Sequence, residues 1–260
     1  MTESTALLIR EDNNAVTTLT LNRPDKFNAL SEDLIAAMTE TLDAVKTDRS
    51  VRVVIIKANG RAFCVGHDLK QMRDNSNRDY ISSLFASCGA MMQRIEALPQ
   101  PVIASVHAVA TAAGCQLAAA CDLAVASEKA KFAVSGITLG LFCSTPAVAL
   151  SRNVGRKAAM EMLLTGDFID AETARQYGLV NRVVASEALD QTVLELAEKI
   201  ASKPPAAIQM GKELFYQQLN KPLDQAYAQA SETITCNMLL EDTLEGVDAF
   251  LQKRQPGWVR

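Results

Sequence analysis

Three short, near-continuous apolar runs constrain this chain more than any other feature: Val51–Ile56, Val102–Val106 and Leu123–Ala126. A strand with one face in water alternates apolar and polar residues, so a run without that alternation is covered on both faces. Helix-compatible segments lie between the three runs. Buried strands joined by helical crossovers run parallel, and the order predicts an α/β fold. Ahead of them, Ala6–Arg10 and Ala15–Leu21 are β-type runs separated by Glu11-Asp12-Asn13-Asn14, which predicts a hairpin. Arg23-Pro24-Asp25 ends the second run, because proline cannot donate to a ladder. Ser31 is a good N-cap, with Leu34, Met38, Leu42 and Val45 marking one face of the helix behind it.

After about Val184 the pattern turns helical. Ser186–Ser202 reads as one helix, Lys203-Pro204-Pro205 begins a second, and Pro222 begins a third that reaches towards Lys253. The expected organisation is an α/β body over residues 1–195 and a helical region over residues 196–260. Leu214, Phe215, Leu219, Ile234, Met238, Leu239, Leu240, Phe250 and Leu251 make that region apolar enough to need a covering surface, either the body or a neighbouring subunit.

Composition removes several function classes. With a net charge of −4 the chain lacks the basic balance of a nucleic-acid binder. It has two histidines, His67 and His107, and six cysteines with no C-x-x-C pair, so no metal site is expected. The cysteines sit among small and apolar neighbours and read as buried free thiols of a reducing compartment. Residues 1–14 hold Glu3, Glu11 and Asp12 against Arg10 alone, with neither an apolar signal core nor an arginine-rich pattern. Val102–Cys121 is long and weakly polar but rich in alanine, and reads as a buried strand and helix, with no membrane span. A cytoplasmic protein is expected. G-x-x-x-x-G-K-[ST], G-x-G-x-x-G after a strand and G-x-S-x-G are all absent.

Two turn segments that follow buried strands hold the chemical interest. One is Gly60-Arg61-Ala62-Phe63-Cys64-Val65-Gly66-His67-Asp68-Leu69. The other runs from Pro101 through Ala110-Thr111-Ala112-Ala113-Gly114-Cys115-Gln116-Leu117 to Cys121-Asp122. Small residues in both let backbone approach a ligand closely, and a helix start offers unpaired, positively polarised N–H groups to an anionic oxygen. Close packing alone is the plainer reading of the same residues.

With Arg23-Pro24-x-x-x-Asn28-Ala29-Leu30 and Ala159-Met160-Glu161-Met162-x-Leu164-Thr165-Gly166, these segments resemble the crotonase (enoyl-CoA hydratase/isomerase) superfamily, in order from about Leu7 to Trp258. The resemblance implies a crotonase-like spiral of ββα turns whose C-terminal helical region builds a homotrimer, often paired into a hexamer. It implies an acyl-CoA ligand, with coenzyme A arriving as part of the substrate and no permanently bound cofactor. It also implies an oxyanion hole of two backbone N–H groups, which fall by position on His67 and Ala113. Side chains do not donate there, so His and Ala are both admissible, provided Ala113 keeps an ordinary backbone conformation. The His67 imidazole is a candidate for ligand contact, with a place facing solvent or in the outer layer of the site the plainer expectation. For coenzyme A the resemblance points to the Arg23–Leu30 loop with Ala29, to Lys26, to Asp68 and Leu69 after the first turn, and to Lys253 from a neighbouring subunit.

The chain departs from that pattern at two places. The two glutamates that handle water and proton in the hydratases align with Gln116 and Gly136. A glutamine amide can hold a water but cannot accept and return a proton near neutral pH, and glycine offers no group at all. General acid–base catalysis contributes roughly 10²–10⁴-fold per group, so ordinary hydration is expected to be impaired. Glutamate restored at both positions is expected to raise it. Ser144 is a candidate for chemistry, although Ser144 or Thr145 reads more simply as the cap of a helix starting near Pro146. Asp68 reads as the cap of its own turn, Asp122 as structural, and Cys64 and Cys115 as packing. Two readings follow: an enzyme acting on a coenzyme A thioester, and an acyl-CoA-binding oligomer without efficient turnover.

Overall fold

The three apolar runs form the middle of one sheet. In the computed structural model, which describes residues 6–258, six strands follow the order β1 (Leu8–Asn13), β2 (Val16–Leu21), β3 (Val53–Ala58), β5 (Val102–Val106), β7 (Leu123–Ser127) and β10 (Arg182–Val184). Only the β1–β2 pair is antiparallel; the other four pairings are parallel. A second sheet holds the short strands β4 (Ala62–Cys64), β6 (Val109–Thr111), β8 (Lys131–Ala133) and β9 (Ile169–Asp170). Each central strand thus hands the chain to a short strand of the second sheet and then to a helix, giving three ββα turns.

Two-sided burial explains the missing alternation. Val53 and Ile55 of β3, with Ile103 and Val125, pack under Leu189, Val193 and Ala197 of α8 (Leu189–Ala201). The intervening Val54 and Ile56 face the other way, into the main core with α1 (Glu32–Thr47) and α3 (Arg78–Ala97). Ser31 caps α1, accepting from the Leu34 N–H at 3.3 Å, and Leu34, Met38, Leu42 and Val45 are all buried. The remaining helices are α2 (Leu69–Asp74), α4 (Ala113–Ala120), α5 (Ser144–Asn153), α6 (Arg156–Thr165), α7 (Ala171–Gln176), α9 (Pro205–Gln218), α10 (Leu223–Met238) and α11 (Glu241–Leu251).

Two local expectations are corrected. The hairpin turn is Asn14-Ala15, and Glu11, Asp12 and Asn13 pair with Thr18, Thr17 and Val16 as strand. Asn14 takes φ 53°, a left-handed conformation that asparagine tolerates, so the turn needs only two residues. The helix from Pro222 ends at Met238, and α11 begins at Glu241 after an extended Leu240. Glu241 and Asp242 complement the positive end of a helix, which favours a fresh start there.

The helical region is tied to the body by a buried ion pair. Lys212 on α9, with its side chain 8% exposed, donates to Asp122 Oδ2 at 2.7 Å and to the carbonyls of Ile95 and Gln100. Asp122 also accepts from Tyr216 at 2.8 Å and from the Val102 N–H at 2.7 Å. Burial lowers the Lys212 pKa and the neighbouring carboxylate opposes that shift. All three lysine protons are placed, so removing the ammonium strands a buried carboxylate. Lys212→Met is expected to destabilise the fold by roughly 3–5 kcal/mol in urea unfolding, and a change below about 1 kcal/mol would show the pair to be dispensable.

Candidate active site

The two turn segments meet backbone to backbone. Gly66, at φ +92°, leaves room for Ala112: a Cβ there would stand 2.9 Å from the Ala112 Cβ and 3.2 Å from the Ala113 nitrogen. A Cβ on Gly114 would fall 2.0 Å from the Cys64 carbonyl oxygen. His67 and Ala113 are therefore held side by side, one in the turn after β4 and one as the first residue of α4. Among the described residues neither backbone N–H is given to a protein acceptor. Free N–H groups on neighbouring residues are the kind of donor that suits an anionic oxygen.

The strain falls on Ala112, one residue before the expected position. Its φ of 51° and ψ of −122° belong to a region that side chains avoid, at a cost of about 1–3 kcal/mol. Hydrogen bonds hold it there: its N–H donates to Ala133 O at 3.0 Å and its carbonyl accepts from Gln116 at 3.1 Å. Ala113 itself is helical.

The Arg23–Leu30 loop is sewn onto the same turn. Leu30 donates to Gly66 O and accepts from the Asp68 N–H. Asn28 bridges the Arg23 N–H to the carbonyls of Asn59 and Ala62, all at 2.8 Å. The Arg23 guanidinium donates to Ala29 O and pairs with Asp68 at 3.1 Å, and Asp68 caps α2 by accepting from the Gln71 N–H. Burial raises the Asp68 pKa, but the Gln71 N–H and Arg23 outweigh it and hold the carboxylate below its ordinary value. Ala29 is buried, and Lys26 is exposed at the end of a short 3₁₀ turn. Lys253, exposed beyond α11, does not line the cavity described next.

That cavity, of about 400 Å³, brings together His67, Leu69, Ala113, Gly136 and Ser144 with an apolar wall that includes Met72, Phe85, Leu141 and Phe142. The His67 ring does not face outward as expected. It stands edge-on to Phe85, centroids 4.9 Å apart and planes at 72°. Burial pushes its pKa down to about 4, so the ring is neutral near pH 7, and Nε2 is enclosed with no partner.

Of the two glutamate positions, neither is a simple vacancy. Gln116 is 5% exposed on α4, its Oε1 enclosed and unpartnered, and it does not line the cavity. Gly136 does line it, within a 3₁₀ turn over Ser135–Leu139, and donates its N–H to Cys143 Sγ at 3.3 Å. A Cβ at 136 would lie 2.4 Å from the Leu141 carbonyl oxygen and 2.8 Å from Cys143 Sγ. A glutamate at 136 would therefore require the 139–143 loop to shift. Ser144 is the first residue of α5, not its cap: Cys143 stands at the cap without a side-chain bond, and the Ser144 hydroxyl donates to Phe142 O at 3.3 Å. Burial pushes the Cys143 thiol up. No group of three metal-ligating side chains exists among the described residues.

This architecture belongs to a family. The enoyl-CoA hydratase/isomerase family model matches residues 11–260, and the chain is a member of that family. A solved enoyl-CoA hydratase from Mycobacterium smegmatis is 57% identical, with a TM-score of 0.96 over 98% of this chain and 99% of that one. The structure of human enoyl-CoA hydratase domain-containing protein 3 is 42% identical, with a TM-score of 0.95 over 97% and 100%. Its mouse counterpart, named as mitochondrial, is 43% identical over 94% of this chain and 82% of its own length. The 2,3-dehydroadipyl-CoA hydratase of Escherichia coli K12 is 38% identical over 96% and 97%.

The cytoplasmic expectation does not stand, because the domain-containing protein 3 relatives are named as mitochondrial. It rested on the composition of residues 1–14 and on reading the cysteines as thiols of a reducing compartment. No described helix is long and apolar enough to cross a membrane.

The contact at Gly136 is directly testable. Gly136→Ala is expected to lose about 1–3 kcal/mol in thermal unfolding through overpacking against Leu141 and Cys143. An unchanged melting temperature would mean that the loop yields freely.

Proposed function

We propose that this chain binds an acyl-CoA thioester and polarises its carbonyl between the His67 and Ala113 N–H groups, towards an enolate or tetrahedral oxyanion. The observation that carries the reading is the pair of unpartnered N–H groups on residues that line the cavity, with Gly66 so close to Ala113 that a Cβ on it would lie 3.2 Å from the Ala113 nitrogen. Each such donor is worth about 2.7–4 kcal/mol in acyl-transfer enzymes, and enolate formation draws on the same electrostatics. Ordinary enoyl-CoA hydration is disfavoured, because Gln116 and Gly136 supply no carboxylate.

Calorimetric titration with butyryl-CoA is expected to give saturable binding, while crotonyl-CoA is expected to keep its enoyl-thioester absorbance in the presence of the protein. Absence of binding would remove the acyl-CoA reading. Rapid hydration of crotonyl-CoA would remove the argument from the missing carboxylates. The lack of those carboxylates also favours a second reading, an acyl-CoA-binding oligomer without turnover, which predicts binding with no reaction of any acyl chain.

Assembly belongs to the same reading. Leu223, Tyr227, Ile234, Leu239 and Phe250 lie on α10, α11 and the link between them, and are 63–82% exposed. So large an apolar surface fits a subunit interface, and a homotrimer or a pair of trimers is expected. Light scattering at micromolar concentration reports it directly; a stable monomer would contradict it.

A further inference from the structure

The acyl-CoA reading leaves a polarised thioester with no carboxylate to exchange its proton. We propose that the His67 imidazole is the catalytic base that takes a proton from the α-carbon of the bound acyl group, while the N–H groups of His67 and Ala113 hold the resulting enolate oxygen. This rests on the acyl-CoA reading and adds the group that moves the proton.

Elimination within the cavity supports it. Among the residues that line it, only His67 and Cys143 have side chains that titrate. The Cys143 sulfur accepts from the Gly136 N–H, and burial holds its proton on. Ser144 donates to the Phe142 carbonyl, and a hydroxyl is no base near neutral pH. Asp68, the next residue along the chain, is committed to Arg23 and to the cap of α2. Burial is the sole cause of the shift at His67, and no charged neighbour contributes to it. Phe85 fixes the ring from the side. His67 lines the cavity, and of its ring nitrogens Nε2 is enclosed without a partner, so the proton transfer is assigned to Nδ1.

The step balances without any added reagent. The Nδ1 lone pair takes the α-proton, the C–H electron pair becomes the enolate double bond, and the carbonyl pair moves onto the oxygen between the two N–H groups. Imidazolium and enolate form together as opposite charges. Return of a proton from Nδ1 to the α-carbon regenerates the thioester, and in deuterium oxide exchange of the Nδ1 proton with solvent before that return leaves a deuterium on the α-carbon.

The test uses the full chain and butyryl-CoA. Its α-hydrogen exchange in deuterium oxide is followed by mass spectrometry, beside calorimetric binding of the same compound. His67→Gln and His67→Ala both keep the backbone N–H, so the hole survives while the ring is lost. Both variants are expected to bind butyryl-CoA within about threefold of the native protein and to lose roughly 10²-fold or more in exchange rate. The native rate is expected to be level from about pH 5 to pH 8, because the ring is neutral above its pKa of about 4, and to fall on acidification. Binding without native exchange overturns the proposal and leaves the acyl-CoA reading intact. So does exchange that survives in a folded variant, or a native rate that climbs with pH throughout, which would assign the base to the Cys143 thiolate. Absence of binding overturns both readings together.

Discussion

Everything at the candidate site depends on one contact: the backbone of Gly66 lying against Ala112 and Ala113, with Gly114 against Cys64. A methyl group at either glycine would push the turn after β4 away from the start of α4. Because the two turns touch, His67 and Ala113, from segments nearly fifty residues apart, line one cavity. The sheet makes this possible by placing β4 and β6 side by side and in parallel, so that both turns leave from the same edge. The strained Ala112 is the residue where α4 is forced to begin close enough.

The parts of this architecture that depend on local chemistry were legible in the sequence. Two-sided burial of the central strands shows as missing alternation in Val51–Ile56, and the Ser31 cap with its apolar face shows as spacing. The close approach of the two turns was legible as well, because small residues around Gly66 and Gly114 suit tight backbone packing. What escaped depends on contacts between distant segments. Nothing near Gly136 announces that the Leu141 carbonyl crosses it. Nothing near Lys212 announces Asp122, ninety positions away. The orientation of the His67 ring was misread because its neighbour, Phe85, comes from a helix whose packing no short pattern encodes.

The missing glutamates look different once the loop is in view. The loop over 139–143 lies where a side chain at 136 would begin, and Cys143 Sγ accepts from the Gly136 N–H. The cavity beside it is mostly apolar, with one imidazole in its wall.

Asp122 has a consequence for assembly. It follows α4 by two residues, accepts from the N–H that opens β5, and grips both Lys212 and Tyr216 of α9. One carboxylate therefore joins the helix that bears the Ala113 N–H to the helical region whose apolar faces are exposed. If the exposed apolar faces pair as proposed, a ligand that tightens the cavity through this linkage would change the affinity between copies of the chain by the same factor that pairing changes the ligand's.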